Sequence, residues 1–259
     1  MPAERSILVG GRQTRIAEAG AGRPLMLLHD TYGNRWTHGH TNLSARFKVI
    51  APTMPGFEHS DELKGIDGPE DVVFWLLDLL AELQLNRPIL AGGGLGGWMA
   101  AEFAVRYPER IGALVVIDAY GLQVGGALAA DEFALPGPQL RPLLFADPAG
   151  QTAQEWLPDQ EPMDRVEHTL RARVAAARLA WQFPYSPKLR GRLSRVTVPA
   201  YVAWGEHDSL VPLAHAHAWA EGLPNAQLHV ASGAGHYPYL DDPTGFASRL
   251  ADFGRTVPR

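Results

Sequence analysis

The sequence predicts an α/β fold, with a mostly parallel central sheet flanked by helices and a helical cap inserted into it. Short apolar runs alternate with segments of helical periodicity, which is typical of βαβ units. This alternation stops between Tyr120 and about Thr197, where the chain carries several prolines and no clear strand pattern. We therefore expect one domain, with its core in residues 1–119 and 198–259 and a helical cap in residues 120–197.

The core elements follow from these apolar runs and their boundaries. A run of about five apolar residues that ends at glycine, proline or a polar residue is typical of a strand buried on both faces. We predict strands at Leu25–His29, Phe47–Ala51, Pro88–Ala91, Ile111–Ile117, Ala200–Trp204 and Gln227–Ala231. We predict helices at Asp71–Leu83, from the glycines after Ala91 through Trp98 to Val105, and at about Thr244–Phe253.

The predicted cap contains one segment with a clear helical period. Met163, Val166, Leu170, Val174 and Ala177 recur at spacings of three and four, which places them on one face of a helix. This helix either packs on the sheet or forms a lid over a pocket at the carboxyl ends of the strands. Aromatic residues of the same segment, Trp181 among them, favour a small apolar or aromatic substrate, although they would equally form the core of a cap.

Composition narrows the classes of function. The chain has 259 residues, of which 46% are apolar and 20% charged, as in a globular domain with a sizeable core. Its net charge of −5 argues against partners such as nucleic acid or an anionic membrane. The absence of cysteine excludes disulfides and a thiol nucleophile. The first residues do not read as a secretion signal and no apolar run approaches about 18 residues, so we expect a cytoplasmic protein.

A glycine-rich turn carries the most informative motif. Gly92-Gly93-Gly94-Leu95-Gly96 lies between a predicted strand and a predicted helix. A nucleophile elbow has the pattern G-x-S-x-G in this context, because only small residues allow the strand and helix backbones to approach so closely. Here Gly94 stands where the pattern has its nucleophile, and glycine has no side chain that could attack a substrate.

Further motifs follow in a characteristic order. They are His29-Asp30-Thr31-Tyr32-Gly33 after one strand, Ala51-Pro52-Thr53-Met54-Pro55-Gly56-Phe57 after the next, the elbow, Trp204-Gly205-Glu206-His207-Asp208, and Gly235-His236. With these motifs the chain resembles the α/β-hydrolase superfamily over nearly its whole length. The resemblance implies that Asp208 orients His236, and that His236 acts as a general base. It also implies an oxyanion hole formed by the backbone amides of Thr31 and Leu95.

The same resemblance predicts a pocket beside these residues, with His29, Asp30, Tyr32, Gly93, Asp118 and Trp181 as candidate lining. Asp118 ends a predicted strand at a second position where some family members keep their acid, and we interpret it as a carboxylate that caps a loop. Asp30 replaces the glycine of the common His-Gly pair. It is either a turn residue or a carboxylate at the pocket mouth, where it would oppose an oxyanion.

Gly94 leaves three hypotheses open. The protein could be an enzyme in which His236 activates water or removes a substrate proton, with hydrolysis, C–C cleavage, lyase or cofactor-free oxygenase chemistry. It could be a binding protein without catalysis, or a serine hydrolase whose nucleophile has been replaced. The stretch Gly92–Gly97 also fits a dinucleotide-binding pattern, but it lacks the later acidic residue at a strand end. We expect a small-molecule substrate and no metal, nucleotide or flavin, while the oligomeric state is left open.

Overall fold

A computed structural model of the protein describes residues 1–58, 60–61, 65–66, 68–180 and 184–258. In this part of the chain eight strands form one sheet in the order β1-β2-β4-β3-β5-β6-β7-β8. The strands are β1 Ala3–Val9, β2 Arg12–Ala19, β3 Pro24–Leu28, β4 Lys48–Pro52, β5 Ile89–Gly93, β6 Ala113–Ile117, β7 Ala200–Gly205 and β8 Ala226–Ala231. All pairs from β4 to β8 are parallel, and the pairs β1–β2 and β2–β4 are antiparallel. The predicted α/β architecture with a mostly parallel sheet is confirmed.

Helices connect the strands and pack around the sheet. They are α1 His38–Ser44, α2 Pro69–Glu82, α3 Gly94–Ala104, α4 Arg141–Leu144, α5 Gln151–Trp156, α6 Met163–Ala180, α7 Leu189–Arg192, α8 Ala214–Gly222, α9 Pro238–Asp241 and α10 Pro243–Thr256. Helix α3 is buried along its whole length and contacts β3, β5 and β6. It therefore fixes the elbow at the carboxyl end of β5, in the middle of the sheet.

The first two strands are absent from the sequence prediction. In β1 most residues are exposed, and charged Glu4 and Arg5 interrupt its apolar pattern. Its partner β2 is buried at Thr14 and Ile16 but carries arginine at both Arg12 and Arg15. Partly exposed strands of this kind show no continuous apolar run, because one side of the ribbon faces water.

Between β6 and β7 the described residues contain helices α4 to α7 and short 3₁₀ turns, with one isolated bridge between Gly121 and Tyr185. The division of the chain into a core and a separate cap stays a prediction. Trp181, a candidate for the pocket, lies outside the described residues. Each helix in the described part of the chain is too short or too polar to span a membrane.

Helix α6 forms where the apolar period predicts it, but the larger residues of that period face solvent. Met163 is 86% exposed, Leu170 62% and Val174 53%. The buried face consists instead of Ala172, Ala175, Ala176, Leu179 and Ala180. Alanines allow the helix backbone to approach its neighbours closely, and the larger apolar residues are left on the solvent side.

Candidate active site

Strand β5 turns sharply into helix α3 at Gly94, whose φ of +48° lies in the left-handed region. A side chain in this conformation is strained by about 1–3 kcal/mol, which glycine largely avoids. On either side, a Cβ at Gly92 would overlap the backbone of Gly96, and one at Gly96 would overlap the backbone of Leu28. The backbone of a nucleophile elbow is therefore present, with its close approach of strand and helix.

The carboxyl group of Asp30 fills the space beside Gly94. A Cβ placed on Gly94 would lie within 2.5 Å of all three atoms of that carboxyl group. Asp30 follows β3 directly after His29, and it is only 5% exposed. The carboxyl group of Asp30 thus occupies the volume that a side chain at position 94 would need.

Asp30 is held by donors from three parts of the chain. Its Oδ1 accepts a hydrogen bond from the backbone amide of Leu95 at 2.8 Å. Its Oδ2 accepts one from the Tyr237 hydroxyl at 3.1 Å and lies 3.2 Å from Nε2 of His236. Burial raises the pKa of Asp30, but its hydrogen bonds with His236 and with the amides of Leu95 and Thr31 outweigh this effect and hold the pKa below its ordinary value. The two amides assigned to an oxyanion hole are therefore engaged by an ionised carboxylate.

His236 lies between two carboxylates. Its Nδ1 is 2.8 Å from Oδ2 of Asp208, so the expected dyad is present, and its side chain is fully buried. Burial lowers the pKa of His236, but the charges and hydrogen bonds of Asp208 and Asp30 outweigh it and raise the pKa well above the ordinary value. The imidazole is thus protonated at neutral pH, and both ring nitrogens donate.

Asp208 and Asp118 support this histidine from the opposite side. Oδ1 of Asp208 accepts the amides of Leu210 and Val211, each at 2.9 Å. Asp118 accepts the amide of Gly205 at 2.8 Å, and its backbone φ is +43°. Burial and the nearby charge of Asp208 raise the pKa of Asp118 well above its ordinary value, which favours the protonated form of this carboxyl.

These acids and His236 bring ligand-type atoms within 4.8 Å of one another, which is close enough for a metal ion. The chemistry of the set favours a hydrogen-bonded chain instead. Both oxygens of Asp208 already accept donors, and His236 donates through the nitrogen that would have to bind the metal. The protonated form that is favoured at Asp118 is also a poor metal ligand.

Other residues of the predicted pocket have structural contacts. Nδ1 of His29 donates to the backbone oxygen of Asp30 at 2.7 Å, and its Nε2 accepts the amide of Met54 at 3.0 Å. Burial lowers the pKa of His29 to about 4, so it is neutral. The hydroxyl of Tyr32 accepts a hydrogen bond from Arg173 of α6 at 2.9 Å. Gly93 ends β5 directly before the elbow glycine.

Glu132, which the sequence analysis does not identify, is also part of this cluster. It is 3% exposed, and its two oxygens accept the hydroxyls of Tyr120 at 2.7 Å and Thr31 at 2.8 Å. Burial raises the pKa of Glu132, and the charge of Asp30 raises it further, to about 7. It lies in a short 3₁₀ turn between loops, where no motif marks it.

Glu132 is also one of the residues that line a cavity of about 160 Å³. Its lining consists of Tyr120, Ala129, Ala130, Asp131, Glu132, Phe133, Ala180 and Pro184. Tyr120, which lines this cavity, also lies beside His236, with 6.3 Å between the two ring centroids. The cavity therefore has the titratable Glu132 in its wall and shares one lining residue, Tyr120, with the surroundings of His236.

Comparison with known proteins is consistent with this architecture. Residues 25–249 match the model of the Alpha/beta hydrolase family. The chain is 28% identical over 272 residues to a 2-hydroxy-6-oxononadienedioate/2-hydroxy-6-oxononatrienedioate hydrolase of Paraburkholderia phymatum, covering 96% of this chain and 93% of the relative. It is 34% identical over 253 residues to the dihydrolipoyllysine-residue acetyltransferase component of the acetoin cleaving system of Pseudomonas putida, covering 93% of this chain and 66% of the relative.

Solved structures share the fold at low sequence identity. A serine hydrolase from the polyaromatic hydrocarbon-degrading bacterium Cycloclasticus zankles superimposes with a TM-score of 0.83 at 19% identity, covering 98% of each chain. A 2-hydroxy-6-oxo-6-phenylhexa-2,4-dienoate hydrolase from a Rhodococcus species gives a TM-score of 0.81 at 18% identity, covering 99% of each chain. Identities this low show the fold alone.

Proposed function

Because the chain belongs to the alpha/beta hydrolase family, we propose that it hydrolyses a small apolar or aromatic ester or carbonyl compound without a serine nucleophile. In this proposal Asp208, His236 and Asp30 replace the serine-centred triad. The position of the Asp30 carboxylate carries the proposal, because it occupies the nucleophile's space and contacts both the elbow amide and the histidine. Relatives named as hydrolases of 2-hydroxy-6-oxo dienoates support a carbonyl compound as the substrate.

The proposed reaction begins with water rather than with a side-chain nucleophile. Asp30 is the ionised group beside Gly94, so it takes a proton from a water molecule whose oxygen attacks the substrate carbonyl. Protonation removes the charge that holds the amide of Leu95. This amide then becomes available to the oxyanion that forms on the substrate. Proton transfer and formation of the oxyanion hole are thereby coupled.

His236 has a different role from the free general base that the resemblance implies. Since both of its nitrogens donate to carboxylates, the imidazolium orients Asp30 and compensates its charge. Asp208 in turn fixes the ring. While Asp30 is ionised it can accept the proton of the attacking water, so His236 is not needed as a second base.

One observation favours a second candidate reaction. The amide of Leu95 donates to the Asp30 carboxylate, as it would to the carbonyl of an ester formed on it. In this reaction Asp30 attacks a saturated carbon and expels a leaving group, and water then hydrolyses the resulting ester. After turnover in heavy-oxygen water, mass spectrometry of the peptide containing Asp30 distinguishes the two. Label in Asp30 indicates the ester, and label in the product alone indicates direct attack by water.

Hydrolysis itself is tested with p-nitrophenyl esters of short and aromatic acids. We expect Asp30→Asn and His236→Gln to remove turnover while circular dichroism shows an unchanged fold. Matched controls are Asp71→Asn, which alters a carboxylate accepting a backbone amide at the start of α2, and His40→Gln, which alters a buried histidine of α1. Wild-type turnover in Asp30→Asn would contradict the proposal.

A further inference from the structure

Thr31 links two carboxyl groups that lie in different surroundings. Its backbone amide contributes to the binding of Asp30, and its hydroxyl donates to Glu132 at 2.8 Å. Asp30 is surrounded by amides and a cationic ring, whereas Glu132 accepts from two neutral hydroxyls, those of Thr31 and Tyr120. The first environment stabilises a carboxylate, and the second leaves a buried carboxyl group without a cation on its oxygens.

The charged and titratable groups that face Glu132 also favour its protonated form. Asp30 disfavours its ionisation, and His236, which is screened by its own two carboxylates, favours it more weakly. Arg173 approaches from α6, but its Nη2 donates to the backbone oxygens of Glu132 and Leu135, each at 3.1 Å, and not to the side chain. The resulting pKa of about 7 is high for a glutamate, while that of Asp30 is low. Two neighbouring carboxyl groups whose pKa values are shifted in opposite directions are typical of an acid–base pair in one site.

We propose that Glu132 is the catalytic acid of the reaction, donating its proton to the leaving group of a substrate bound in the adjoining cavity. The inference rests on the proposed function, because it assigns the proton that ester hydrolysis requires. The water oxygen bonds to the acyl carbon, one water proton goes to Asp30, and the bond from the acyl carbon to the alkoxy oxygen breaks. The departing oxygen takes its electron pair and the proton of Glu132. Solvent exchange then returns the proton of Asp30 to Glu132, so the net reaction is ester plus water to acid plus alcohol.

This assignment defines a substrate class. A general acid accelerates the departure of a leaving group that is unstable as an anion, such as an alkoxide or a carbanion. It adds little where the leaving group departs as a stable anion. We therefore expect the natural substrate to be an unactivated ester or a ketone cleaved at a carbon–carbon bond. The small cavity is suited to a compact leaving group.

Two esters of one acid test the proposal, p-nitrophenyl butyrate and benzyl butyrate. Glu132→Gln keeps the shape of the side chain and one acceptor oxygen but carries no transferable proton. We expect kcat for benzyl butyrate to fall by about 10²–10⁴-fold, the usual contribution of a positioned general acid, while p-nitrophenyl butyrate keeps most of its rate. Glu102→Gln, the same change at a fully buried glutamate of α3, should leave the ratio of the two rates unchanged. An equal fall on both esters in Glu132→Gln would indicate a structural role and overturn the proposal.

The proton itself is measured independently of turnover. Infrared difference spectra across neutral pH should show a carboxylic acid band that ionises near pH 7 in the wild type and is missing from Glu132→Gln. Because the hydrogen bond from Tyr120 lowers the pKa of Glu132, Tyr120→Phe should move this midpoint upward. Absence of the band in the wild type overturns the proposal. If the wild type cleaves neither ester, hydrolysis of esters as the proposed function fails, and the band alone decides whether Glu132 holds a proton in the cavity.

Discussion

Placing a serine at position 94 alone is expected not to restore a serine hydrolase. In the structure the Asp30 carboxyl group occupies the space that any side chain at this position must enter. The substitution Gly94→Ser therefore has to displace a buried, hydrogen-bonded carboxylate before the new hydroxyl can approach His236. We expect no burst of p-nitrophenol from this variant and a clear loss of stability.

The size of this loss follows from two contributions. A non-glycine residue at a φ of +48° costs about 1–3 kcal/mol. Loss of the hydrogen bond from the amide of Leu95 to the charged carboxylate costs about 1.5–3 kcal/mol. At about 2–4 °C per kcal/mol for a chain near this length, the melting temperature should fall by roughly 5 to 24 °C.

Three companion variants separate these contributions. Gly11→Ser introduces a side chain at a φ of +79° with open space around it, so it reports backbone strain alone. Asp30→Gly removes the obstructing carboxylate and recreates a His-Gly loop. The double variant Asp30→Gly/Gly94→Ser should lose less stability than the sum of its single changes, with a coupling of about 0.5–3 kcal/mol, and should show a p-nitrophenol burst.

Calorimetry and pre-steady-state kinetics on Gly94→Ser and its three companion variants test whether Asp30 blocks a side chain at position 94. The reasoning is refuted if Gly94→Ser alone melts within a few degrees of the wild type and releases a stoichiometric burst. Asp30 would then move aside at little cost, and its position next to Gly94 would have no bearing on catalysis. Additive effects in the double variant would lead to the same conclusion.

Three further predictions concern neighbouring groups. Asp118→Asn should retain most of kcat at pH 7 because burial and the charge of Asp208 already favour the protonated form of Asp118. Asp208→Asn, which unpairs His236, should lose up to about 10⁴-fold as in serine proteases. The folded-state pKa of Glu132 is raised from 4.5 to about 7, so its contribution to stability is complete below pH 4.5 and is lost as the pH rises through 7. Between pH 4 and pH 8 the free energy of unfolding of the wild type should therefore fall by up to about 3 kcal/mol relative to that of Glu132→Gln. Urea unfolding at the two pH values measures this difference. In α6, Leu170→Ala should change stability by less than about 0.5 kcal/mol and Leu179→Ala should cost about 2–4 kcal/mol, because only Leu179 is buried.

The sheet was predictable where the sequence has one dominant signal. Strands β5, β6 and β7 are buried at every residue, so their apolar runs mark them directly. The hairpin of β1 and β2 has exposed and charged positions, and its pairing depends on the turn between the strands rather than on a continuous apolar run. In α6 the period predicts a helix but not its orientation, because small alanines pack more closely than the larger apolar residues on the opposite face.

The chemistry of the site was predictable only in part. The positions of Gly94, Asp208 and His236 follow from local motifs, since each lies at a strand end with a recognisable neighbour. The direction of the Asp30 side chain does not, because its partners Leu95 and His236 are 65 and 206 residues away along the chain. Glu132 had no signal at all, since its environment depends on Thr31, 101 residues away, and on a fold that brings the two together.

The absence of a side chain at Gly94 and the position of the Asp30 carboxylate depend on each other. Had a serine simply been replaced by glycine in an otherwise ordinary triad, its side-chain volume would be empty and the amide of Leu95 would face that gap. Here a carboxylate fills the volume, accepts the amide and pairs with a histidine that carries the opposite charge. A serine at position 94 and this position of Asp30 exclude each other sterically, so a parent protein with that serine would need a different loop after β3. The double variant therefore tests more than restored activity: a burst that requires both changes would show that the two positions alternate between two catalytic arrangements of one fold.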